Sequence, residues 1–79
     1  MNEQEFKVFL EDIIQDSRNT MDELLEVFKK RATDRAAILF EKSENIDGDI
    51  LEQMCTEELA FANGYVKGAA KNNAVHKNQ

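Results

Sequence analysis

Read at about 100° per residue, the stretch Asp47 to Lys71, DGDILEQMCTEELAFANGYVKGAAK, places its apolar residues on one broad arc. Turning from Ile50, the arc passes through Phe61, Met54, Tyr65, Leu51, Ala69, Ala62, Cys55 and Val66 to Leu59 and Ala70, and only Glu58 interrupts it. Gln53, Thr56, Glu57, Asn63 and Lys67 lie on the far side. An arc of about 200° is wider than the ~100° needed to face one neighbour, so this helix is expected to touch both others.

Two more helical patterns precede it. In residues 3–18, Phe6, Phe9, Leu10, Ile13 and Ile14 share an arc of about 140° that includes Ser17 and leaves Val8 outside. In residues 20–42, Met21, Leu24, Leu25, Phe28, Ala32, Ala36 and Leu39 recur at spacings of three and four, while Val27, Ile38 and Phe40 widen the apolar surface. SRNT at 17–20 reads as a break or kink, with Thr20 and Glu23 at capping-box spacing, although an unbroken helix from 3 to 42 is not forbidden. SENIDG at 43–48 reads as a turn, with Asp49 and Glu52 as candidate caps for the helix that follows. Asn63-Gly64 is a turn signal, but the apolar arc passes through it without a change of phase. Gly64 and Gly68 then suggest a close approach between helices. The expected fold is all-α: three helices at about 3–18, 20–42 and 48–71, the last two an antiparallel hairpin and the third packed on both others. Residues 1–71 form one domain and 72–79 a flexible polar tail.

Charge supports the hairpin. Residues 27–42 carry Lys29, Lys30, Arg31, Arg35 and Lys42, and residues 43–60 carry six acids and no base. Folding about the 43–48 turn sets these blocks side by side. A chain of 79 residues buries only roughly 60% of its unfolded surface, so its stability margin is thin. Cys55 is the only cysteine, which excludes an internal disulfide, and one Cys with one His does not supply a structural zinc site. The apolar positions that overflow the core, Val8, Val27, Ile38 and Phe40, therefore point to a homodimer. Together with Arg31 and Arg35 they are the candidate interface residues. No run is apolar enough to span a membrane, and the opening MNEQEF is unlike a secretion signal, so a cytoplasmic location is expected.

Each chemical motif has a plainer reading. In SENIDGDILEQM, Asn45, Asp47, Gly48, Asp49 and Ile50 match the middle of an EF-hand calcium loop. Ser43 and Met54, however, stand where its first and last carboxylates belong, so a plain turn and no bound metal are expected. Arg31 and Arg35 lie one turn apart, as phosphate contact would need, but the facing acidic block and a net charge of −6 favour pairing within the hairpin over nucleic acid. Cys55 falls on the core arc without an adjacent base. With no glycine-rich phosphate loop or histidine pair either, the chain reads as a non-enzyme without a cofactor.

The run EELAFANGYVKGAAK, residues 57–71, resembles the C-terminal helix of many small phage and prophage accessory proteins, which end in Glu-Glu, an aromatic, Asn-Gly-aromatic and Lys-Gly. The resemblance implies an accessory protein of a mobile element that binds and inhibits a host factor, and it carries no catalytic residue over. The expected function is thus a protein-binding module. The alternatives are a nucleic-acid-linked regulator, binding DNA through Arg31 and Arg35 or mimicking it with the acidic blocks, and a structural self-assembling subunit.

Overall fold

A computed structural model describes the backbone of residues 1–17 and 20–77, with side chains up to Ala69. It is all-helical: α1 spans Glu3–Asp16, α2 spans Asp22–Lys42 and α3 spans Gly48–Lys77. The Asn2 side chain starts α1 by accepting a hydrogen bond from the Glu5 amide at 2.8 Å, and Glu3 and Glu5 complement the positive end of the helix dipole. The helix ends at Ser17, whose amide donates to Ile13 and Ile14.

The expected break between the first two helices is present, and Arg18 and Asn19 within it lie outside the described residues. The expected Thr20 capping box is not the way α2 begins. The Thr20 amide donates to the Ser17 carbonyl at 2.7 Å, which holds Thr20 outside the helix. Met21 takes the N-cap position with no side-chain bond, and its carbonyl accepts from Leu25. Met21 is consequently 58% exposed instead of lying in the core stripe.

At the second turn the Ser43 amide closes α2 on the Leu39 carbonyl, and Ser43 Oγ donates to the Asn45 carbonyl. Asp47, rather than Asp49 or Glu52, caps α3: its Oδ1 accepts from the Asp49 amide at 2.9 Å. Gly48 is the first helical residue and has no positive φ, so the turn does not use its left-handed freedom. The middle of the calcium-loop-like run is thus occupied with ending one helix and starting the next. α3 continues to Lys77 instead of stopping at Lys71, and residues 78–79 of the expected tail lie outside the described residues.

Phe6, Leu10, Phe28, Ala32, Ala36, Leu51, Met54, Cys55 and Ala62 meet in one core. The small Ala32, Ala36 and Ala62 let α2 and α3 approach closely along most of α2, while the Phe6 and Phe40 rings, 6.1 Å apart, hold α1 against the other side of α2. α3 shares the core with both helices, as expected, but its backbone packs mainly on α2 and barely approaches α1. With one main neighbour, α3 buries only the middle of its apolar arc. Ile50, Phe61 and Tyr65, at the arc's edge, remain about half exposed. The glycine reading is corrected: a Cβ on Gly64 or Gly68 would meet nothing within 4 Å, so neither marks a close approach within the chain.

Ile46 is a core residue that the polar turn concealed. It is 9% exposed, and its amide donates to the Met1 carbonyl at 2.9 Å. The Met1 ammonium donates in return to the Ile46 carbonyl and to Asn45 Oδ1.

Candidate functional site: an arginine-centred face of the hairpin

The one polar residue on α3's apolar arc organises the hairpin. Glu58 is 1% exposed, and both its oxygens are used: Arg31 Nε donates to Oε2 at 2.5 Å and an Arg35 terminal nitrogen donates to Oε1 at 2.6 Å. The same Arg35 nitrogen reaches Glu57 at 3.2 Å. The two arginines lie one turn apart on α2, so their guanidinium groups converge on a single carboxylate across the helix pair. The Arg31 guanidinium also lies over the Phe61 ring, 3.6 Å from its centroid, in a cation–π contact. Among the described residues, no buried side-chain polar atom lacks a partner.

Burial pushes the Glu58 carboxyl up, but the hydrogen bonds from Arg35 and Arg31 and their charges outweigh it and hold its pKa below the ordinary value. Hydrogen bonding to Glu58, then to Glu57, raises the pKa of Arg35 further. Burial, reinforced by the Glu58 charge, raises the Cys55 thiol to about 11. Cys55 is therefore a thiol at neutral pH and is buried in the core. In native protein at pH 8 it is expected to react with a disulfide reagent at least about tenfold slower than in urea-unfolded protein. Equal rates would mean that the core around it is open.

The two arginines keep nearly half their surface in water, and the Phe61 ring lies against Arg31. By helical spacing Ile38 shares their side of α2, away from α1. Ile50, Phe61 and Tyr65 form the adjoining stripe of α3. All four are about half exposed. This face was only partly anticipated. Arg31, Arg35 and Ile38 belong to it, whereas Val27 is half-buried and Phe40 turns inward against Phe6. Val8 is exposed on α1. Ile50, Phe61 and Tyr65 are not among the interface residues expected from the sequence, which assigns the width of the arc to contact with two helices. The signal available was the arc's width, more than one helical neighbour can cover.

On the opposite side, α1 and α2 leave a cleft of about 470 Å³, floored by Leu10 and Ile14 and edged by Lys7, Glu11 and Lys29. Its charges are of both signs. Among the described residues, no group of three or more His, Cys, Asp or Glu side chains could hold a metal ion, and no helix is long and apolar enough to cross a membrane. Compared with protein-family models, curated proteins and solved structures, the chain matches none.

Proposed function

We propose that this chain is a non-enzymatic protein-binding module that works by presenting a preformed helical face. One observation carries the reading: Arg31 and Arg35, fixed by buried Glu58, stand among the exposed Ile38, Ile50, Phe61 and Tyr65. Aromatic residues and arginine are the types enriched in the centres of protein interfaces, and contiguous exposed apolar surface marks such sites. The guanidinium groups are already oriented, so less side-chain freedom is lost on docking. The resemblance at residues 57–71 supplies the finer form of the proposal: an accessory protein of a mobile element that occludes a host factor inside the cell. Pairing of Arg31 and Arg35 with Glu58 and Glu57 leaves little positive field for phosphates, which favours protein over nucleic acid as the partner.

Purified chain used as bait in an extract of its native host should recover a protein at near-equal stoichiometry, and a Phe61→Ser/Ile38→Ser variant should not. Recovery that these substitutions leave unchanged would remove the face from the proposal. Random double- or single-stranded DNA should show no appreciable binding at ~150 mM salt. Micromolar binding at that salt, abolished by Lys29→Glu/Lys30→Glu, would transfer the proposal to a nucleic-acid regulator. Charge reversal at Arg31 or Arg35 is unsuitable here, because it would place a second carboxylate beside buried Glu58. Recovery of a nucleic-acid enzyme that DNA competes away would favour DNA mimicry instead.

A further inference from the structure

We infer that the occupant of the α3 part of this face is a second copy of the chain, with the two α3 helices lying antiparallel across Phe61 to Gly68. The inference rests on reading the face as a docking surface, and it names the partner.

The first argument is charge. Along α3, Glu57 stands seven residues before Gly64 and Lys71 seven residues after it, on the same side of the helix by spacing. An antiparallel pair centred near Gly64 sets Glu57 of each helix level with Lys71 of the other, at both ends of the contact. A parallel pair would set like charge on like. The complementarity therefore selects both the partner and its direction.

Length gives the second argument. α3 has 30 residues and α2 has 21. The contacts Arg31–Glu58 and Arg35–Glu57 fix the register of the hairpin and bring the start of α2, at Asp22, beside a point close to residue 70. From there to Lys77, α3 runs past α2 for about 12 Å at 1.5 Å per residue. In an antiparallel pair centred on Gly64, residues 51–58 of the second α3 lie along this overhang.

Shape agrees with both. Phe61 and Tyr65 stand about half exposed, and beside them, among the described residues, a Cβ added at Gly64 or Gly68 would meet nothing within 4 Å. Rings and gap on one helix make a surface that can fit its own copy, as a two-fold contact requires. The phenyl ring of each Phe61 would lie over the glycines of its partner, and Ile38 and Ile50 would flank the contact.

The test uses the full chain in sedimentation equilibrium at micromolar concentrations, with Gly64→Gln/Gly68→Gln as the variant. Glutamine is the better helix former, and the space at both glycines is open, so the variant monomer should be no less helical than the natural chain. The added side chains would fill the gap. A dimer for the natural chain and a monomer for the variant, with helical circular dichroism retained, is the expected result. A natural chain that stays monomeric overturns the inference, as does a dimer that the glutamines leave intact. These outcomes are separable from the fate of the docking reading. A monomer that still recovers a host protein through Phe61 and Ile38 loses only the second copy as occupant. Recovery indifferent to those residues removes the face itself.

Discussion

Leu51→Ala should lower stability by roughly 2–5 kcal/mol, and Ile50→Ala, one position earlier, should change it by less than about 0.5 kcal/mol. The two residues are comparable in size and adjacent in sequence, yet Leu51 is 0% exposed and Ile50 is 53% exposed. Leu51 belongs to the shared core with Phe28, Ala32 and Met54, so truncation leaves a cavity that neighbouring helices close only in part. Ile50 already contacts water and loses little. A 79-residue domain is held by roughly 4–12 kcal/mol in total, so the Leu51 variant should be substantially unfolded by denaturant that leaves the Ile50 variant native. Urea midpoints decide the matter. Equal shifts would mean that α3 is rotated from the orientation described.

Glu58 should show the opposite chemistry with a comparable effect. Breaking a buried ion pair by removing one partner costs about 3–5 kcal/mol, but Arg31 and Arg35 here keep 43% and 46% of their side-chain surface in water, which reduces the penalty. Glu58→Ala is therefore expected to lose roughly 2–4 kcal/mol, the cavity included. Glu58→Met keeps the volume and removes the desolvation burden, and it should fall within about 1 kcal/mol of the natural chain. A pH series tests the same triad. Because the folded pKa of Glu58 lies below its unfolded value near 4.5, the unfolded chain takes up the proton first on acidification. The stability from the triad is thus complete above that value and lost as pH falls below it through the folded pKa. Glu58→Met should lose this part of the acid sensitivity, and an unchanged acid limb would show that other carboxylates set it.

Much of this architecture was legible in the chain. The spacing of Phe28, Ala32 and Ala36 identified the buried stripe of α2, and the charge blocks identified the hairpin that Arg31, Arg35, Glu57 and Glu58 in fact join. Helix ends were less legible, because they depend on which of several competing polar groups reaches an amide. Thr20 offered a hydroxyl and was bypassed, while Asn2 and Asp47 did the capping. Burial at the edges of α3 was illegible for a different reason. Periodicity gives the width of an apolar arc, but only the position of the neighbouring helices determines which part is covered. That position left Phe61 and Tyr65 in water and Glu58, the apparent flaw in the pattern, at the centre of the contact.

The bond from the Ile46 amide to the Met1 carbonyl spans more than half the chain and lies outside every helix. The Ile46 amide has its hydrogen-bond partner in the N-terminal segment, whereas the neighbouring Ser43 amide is held by Leu39 within the hairpin itself. Hydrogen–deuterium exchange at these two sites therefore reads two separate events. Ser43 reports the end of α2, and Ile46 exchanges whenever the N-terminal segment lifts from the turn. In a folding series, protection at Ile46 marks the moment when the N-terminal segment is locked down, an event that waits on closing a longer loop than the hairpin's and is expected after the hairpin has formed.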